Sequence, residues 1–149
     1  MQIKLISYTP TISASSAYSS GDAVGGKATL TSALGANNKG ILRSIVVVDM
    51  AAQGAALTIQ FFSADPSNTT FTDNGALDIH DTDAATAIGM VKIATTDYQA
   101  YADNTIACKS DLFLPLEGAA QTIYAGIITT GTPTYAATDD LRFKFYFEV

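Results

Sequence analysis

The sequence predicts an all-β protein: a single antiparallel β-sandwich domain over residues 1–149, jelly-roll-like, with an extended N-terminal arm or loop. Three observations lead there. The tail LRFKFYFEV alternates strictly, with Leu141, Phe143, Phe145, Phe147 and Val149 set against Arg142, Lys144, Tyr146 and Glu148. A period of two over that length means a strand with one buried face. LTIQFF repeats the pattern with Leu57, Ile59 and Phe61. Turn signals divide the chain at Asn37-Asn38-Lys39-Gly40, Gln53-Gly54, Asp65-Pro66-Ser67-Asn68, Glu117-Gly118 and Gly131-Thr132-Pro133, and no long amphipathic helix stands between them.

Taken in order, strands are expected at about 2–8, 27–34, 40–50, 55–63, 87–95, 104–114, 121–130 and 140–149. Segment 9–26 is rich in Ser, Ala, Thr and Gly, with Tyr18 as its main large side chain, and reads as an extended arm or long loop. In KATLTSAL, Lys27, Thr29 and Thr31 alternate with Ala28, Leu30 and Leu34. Segment 40–50 is apolar on both sides, with Ile41, Ile45 and Val47 on one and Leu42, Val46, Val48 and Met50 on the other. Such a strand is expected to be covered on both faces, the outer one by a loop or a second subunit. Segment 64–86 is a second long loop, with a helical turn near 81–87 that Asp81 or Asp83 would cap. Loops of this length in a small domain are usually functional or in contact with something.

Composition narrows the function. Of 149 residues, 48% are apolar and 15% charged, which fits a folded chain with a substantial core. The net charge is −6, and the eight basic residues stand singly. No cluster of Lys and Arg is present to meet phosphates, so no nucleic-acid partner is expected. An anionic membrane surface would repel the chain, and no apolar run is long enough to span a bilayer. MQIKLISYTP has no signal-peptide character and there is one cysteine, so synthesis in a cytoplasm without disulfides is expected.

Gly21 to Lys27 spells G-x-x-x-x-G-K, and IVVVD at 45–49 imitates the acidic strand that accompanies a phosphate-binding loop. The context argues against that reading. Ala28 follows Lys27 where a magnesium-binding hydroxyl belongs, ISASSAYSS before Gly21 is too polar for a buried strand, and crossover helices are missing. The expected role is a Gly-rich bend, with Asp49 as the polar end of a buried strand. TDNGALDIHDTDAATA gathers acids around His80, and Asp78, Asp81 and Asp83 are its weak candidates for a cation. The EF-hand order fails there, and a solvated acidic loop tip is the default. His80 has no second His for zinc and no selected nucleophile, and no G-x-S-x-G occurs. Cys108 shares a strand face with Ile106, Leu112 and Leu114 and is expected to be a buried small hydrophobe. No catalytic residues, cofactor or metal are predicted, and the chain is read as non-enzymatic. Tyr98 and Tyr101 in TTDYQAY could form an aromatic surface patch, which keeps a carbohydrate-binding jelly roll open as an alternative.

Four stretches carry a resemblance: AYSSGDAVGG (17–26), GILRSIVVVDM (40–50), LTIQFFSADPSNTTFTDNGA (57–76) and GTPTYAATDDLRFKF (131–145). Together they resemble small proteins encoded beside the major capsid protein of tailed bacteriophages. The resemblance implies a head decoration, or cement, protein with no catalytic residues. It implies a β-sandwich located on the virion's head surface, with the major capsid protein and itself as partners, commonly as a homotrimer. A tail, neck or fibre-associated virion protein is the second reading. On the decoration reading the first expected capsid contact is the 9–26 arm, with Tyr18, Gly21, Asp22, Gly25 and Gly26, and the second is 64–86.

Overall fold

A computed structural model describes residues 1–149. Two antiparallel sheets pack face to face. The strands are β1 (Ile3–Tyr8), β2 (Ala28–Leu30), β3 (Lys39–Asp49), β4 (Leu57–Phe62), β5 (Ala87–Ile93), β6 (Tyr98–Ala100), β7 (Thr105–Lys109), β8 (Leu114–Glu117), β9 (Ile123–Thr129) and β10 (Leu141–Glu148). One sheet runs β1-β10-β3-β7-β6, with β8 also paired to β3; the other runs β2-β9-β4-β5. A single helical turn, α1 (Asp81–Ala84), and a 3-10 turn at Thr95–Asp97 complete the elements.

The core lies between the sheets, as alternation requires. Phe143, Phe145 and Phe147 of β10 are buried, and Phe61 of β4 meets Phe145 edge-on at 6.1 Å between centroids. Leu57 and Ile59 from β4, Ile123, Ala125 and Ile127 from β9, and Leu42, Ile45 and Val47 from β3 fill the rest. At about 25 cal/mol per Å² of apolar surface removed from water, such side chains supply most of the drive to fold.

Several expectations need correction. The 27–34 strand shortens to Ala28–Leu30, and 104–114 shortens to β7, with a further strand, β8, beginning at Leu114; β7 and β8 both pair with β3. β6 was not foreseen. In β3 the alternation breaks: the pairing with β10 shifts between Tyr146 and Phe147, so Ser44 faces Tyr146 while Leu42 faces Phe147. Arg43 is the extra residue of this bulge, and Leu42 therefore enters the core with Ile45 rather than lying outside with Val46. The helical turn is capped by neither Asp81 nor Asp83. His80 occupies the cap, its Nδ1 accepting from the Thr82 N–H at 3.2 Å.

Segment 9–26 is a long packed loop, not a projecting arm. Ile12 and Tyr18 belong to the core cluster, and Asp22, Ala23, Val24 and Gly25 are buried. Backbone bridges tie Ala14 to Tyr135, Ala17 to Thr134, and Ala23 to both Asp73 and Ile128. The 64–86 loop also folds back, over β9. Gly126 points away from the core, and an added Cβ there would stand 2.9 Å from the Phe71 ring. The 64–86 loop thus covers the centre of the outer face of the four-stranded sheet, and 9–26 closes its edge beside β9.

Candidate functional site

The glycine-rich string comes first, because it imitates a catalytic loop. The N–H groups of Gly21 to Gly25 are all directed into the molecule. Gly21 donates to the Thr129 carbonyl, Ala23 to Gly75 and Val24 to Ile127, each at 2.8 Å, and Asp22 to Ser19 at 3.0 Å. The Gly25 N–H donates to Asp73 Oδ1 at 2.6 Å. Gly21 and Gly25 take positive φ, 96° and 73°, so these two glycines have a conformational purpose. Lys27 pairs with Asp65 and lies 5.5 Å from the Tyr124 ring centre. β2, not a helix, follows. No ring of free donors is left for a phosphate, and a carboxylate sits where one would bind.

Asp73 is the hub of this region. Besides Gly25 it accepts from Ser13 Oγ at 2.6 Å and from the Tyr18 hydroxyl at 2.7 Å. Tyr18 in turn accepts from the Ser13 N–H at 2.9 Å. Burial, and next the bond to Asp73, push the Tyr18 hydroxyl up to about 12. Tyr18, Asp22 and Gly25 are therefore structural in the isolated chain. Their side chains or Cα atoms are enclosed; only Gly26 of the five named contact residues is well exposed, and Gly21 is half-buried.

The acidic loop separates its carboxylates. Asp78 and Asp81 point to solvent, while Asp83 is buried. Asp83 accepts from the Asn68 N–H at 3.0 Å, Asn68 Nδ2 at 3.1 Å and Thr69 Oγ1 at 2.7 Å. Burial opposes its ionisation, but the bonds from Thr69 and Asn68 outweigh that and hold its carboxyl below the usual range. Nowhere do three His, Cys, Asp or Glu side chains converge. His80 is used as the helix cap.

At the end of β3, Asp49 is fully buried, which its reading as a strand tip did not foresee. Its carboxylate accepts from the Ala51 N–H at 2.9 Å, Gln53 at 2.9 Å and Gly54 at 2.8 Å, closing the turn after the strand. Burial raises its pKa despite those bonds. Tyr98 is turned inward, its hydroxyl donating to the Ala55 carbonyl at 2.9 Å, while Tyr101 is exposed. The two do not form one stacking platform. Cys108 is exposed, contrary to expectation, because Ala107 and Thr105 face inward from β7.

What the molecule leaves open is the outer face of the six-stranded sheet. Register places Val46 and Val48 of β3 beside Cys108 and Ile106 of β7, and beside Lys144 and Arg142 of β10. The stems of those basic side chains lie beside the valines, which are half-buried. Ile3 and Leu5 extend the face along β1, 53% and 48% exposed. No loop crosses it. At one end Phe113, 68% exposed, lies 5.5 Å from the Arg43 guanidinium, and Arg43 also reaches Glu148 at 3.5 Å. An open groove of about 480 Å³ follows, floored by Met1, Ile41, Pro115 and Val149, with Lys39 and Glu117 paired at 3.5 Å on its rim. A broad apolar face bordered by a few charges suits contact with a protein surface. Sequence reasoning pointed to the apolar outer side of 40–50 but missed Phe113 and the groove, which only the pairing of β8 with β3 creates.

No helix is long and apolar enough to cross a membrane. Neither a protein-family model nor a curated protein matches the chain.

Proposed function

We propose that the protein is a non-enzymatic structural component of a virion: a decoration or cement protein that binds the outer surface of a phage head as a homo-oligomer and stabilises it. The observation that carries this reading is the division of labour just described. The acids and glycines that imitate catalytic or ligand-binding motifs hold the protein's own loops, while a broad apolar sheet face has no cover. The strand order supports it further. β1-β10-β3-β7 over β2-β9-β4-β5 interleaves early and late strands as a jelly roll does, an architecture used in viral capsid proteins. The sequence resemblance supplies the partner, the major capsid protein. A contact near the floor for specific interfaces, about 1,000 Å² per copy, would hold poorly alone and well when several linked copies bind together.

The test adds purified, labelled protein to capsids that lack it. Saturable binding with label distributed over the shell is expected, and Ile106→Asp, on the open face, should weaken it at least tenfold without loss of fold. Label at a single vertex would favour a tail or neck protein instead, and no binding to capsids would sink the reading.

A further inference from the structure

β1 is an edge strand, and its edge is unprotected. Gln2 and Val149 exchange both backbone hydrogen bonds at 2.9 Å, which fixes the phase of the β1–β10 ladder. Lys4, Ile6 and Tyr8 are therefore the residues bonded to β10, while Ile3, Leu5 and Ser7 turn their N–H and C=O groups outward, where no strand pairs with them. Edges are normally blunted by Pro, a bulge, charged side chains or short length. The strand IKLISY has neither Pro nor bulge and carries a single charge, Lys4, and the other edges differ. β2 and β6 have three residues each, and β5 carries the exposed Lys92 and a register shift against β4. The one charge of β1 is turned away from the edge: Lys4 Nζ donates to the Ser32 and Leu34 carbonyls at 3.1 and 2.9 Å.

We propose that this edge pairs with β1 of a second copy of the chain, antiparallel about a two-fold axis at Leu5. Three features select a second copy. The register is self-complementary: Leu5 meets Leu5 of the partner subunit, and Ile3 meets Ser7 of the partner subunit, each pair exchanging both backbone bonds. Charge agrees, because the chain carries −6 overall yet β1 contains no acid, and Lys4 falls opposite Ile6 of the partner subunit rather than another Lys. The apolar outer faces of the two sheets then become one continuous surface through Ile3 and Leu5. The inference is independent of the virion reading, since it concerns the chain alone.

Sedimentation of the full chain over micromolar to millimolar concentration tests it. The mass should rise from 15.6 kDa towards twice that value. Leu5→Pro should raise the dissociation constant at least tenfold and keep the fold, because the Leu5 N–H is not used in the ladder and Pro is tolerated at such edge positions. Leu5→Lys and Leu5→Glu should each be monomeric, and their equimolar mixture should restore the dimer, since the axis places those side chains side by side. The charge pair carries the test if Leu5→Pro fails to fold. A chain that stays monomeric throughout, assembles as a trimer, or dimerises undiminished with Leu5→Lys overturns the proposal. Capsid binding by Ile106→Asp reads out the virion hypothesis separately.

Discussion

The outer faces of the two sheets have opposite fates. That of the four-stranded sheet is covered at its centre: Phe71 lies on Gly126 and Phe62 is fully buried outside the main core, while Met90 and Lys92 of β5 stay exposed at its edge. That of the six-stranded sheet is bare, with Val46, Val48, Ile106 and Cys108 covered only by neighbouring side chains. The difference lies in polar chemistry as much as in area. The loops are held by the half-buried Asp73 and the buried Asp83, each carboxylate collecting three donors. No such anchor stands over the bare face. An all-β chain can thus place loops over one sheet and leave the other bare.

The largest effect should come from cutting an anchor. Asp73→Ala leaves the buried Tyr18 hydroxyl and Gly25 N–H without their acceptor, a loss of about 2–6 kcal/mol at roughly 1–3 kcal/mol per orphaned group. Urea unfolding measures the loss, and limited proteolysis should cut first within 9–26. Equal resistance of that segment in the variant would mean that the loop is held by its backbone bridges alone. Removing residues 1–20 would likewise take Ile12 and Tyr18 from the core, so that deletion tests folding before it tests binding.

Acid separates the second anchor from the strand end. The folded pKa of Asp83 is lowered, so its stabilisation is present above the ordinary carboxylate range and is lost as pH falls through the lowered value. Asp49 is raised by burial, so its contribution runs the other way, favouring the folded state more as pH falls through its raised value. Asp83→Asn should therefore melt below the wild type at neutral pH and converge with it in acid. Calorimetry from about pH 7 down to about pH 2, spanning the ordinary Asp value of about 3.9, measures this. A constant gap in Tm across that range would mean that Asp83 acts through shape and not through charge.

Some of this contrast was legible in the sequence and some was not. β10 was plain because Phe143, Phe145 and Phe147 all point one way and their neighbours are polar. β3 was not, since a strand apolar on both sides gives no contrast against which a bulge at Arg43 could be seen. Segment 9–26 reads as an extended arm or a long loop, with no way to choose, because its packing uses backbone bridges and small residues, which have no hydrophobic period. Its one large group, Tyr18, stands out, but of its two partners Ser13 lies 5 positions away and Asp73 lies 55, in the other long loop. The context of the glycine string predicts no helix after it, and β2 follows, while the carboxylate that fills the string comes from a distant loop.

β7 offers the smallest effect and the finest test, because adjacent residues should behave in opposite ways. Size alone would place Ile106 and Cys108 inside and Ala107 outside; the pairing with β3 does the reverse, setting Ala107 against Val47 in the core and Cys108 against Val46 on the open face. The interior at Ala107 is full, so Ala107→Leu should cost about 1–3 kcal/mol by overpacking. Cys108→Ser should stay within about 0.5 kcal/mol of the wild type, as surface changes do. The native thiol should also react with a maleimide without denaturant, at a rate near that of the unfolded chain. Slow labelling of dilute protein together with a tolerant Ala107→Leu would mean that β7 is turned over, and the bare face would then be the wrong one. Fast labelling that slows on addition of capsids would instead locate the partner on this face, because Cys108 lies beside Val46 at its centre.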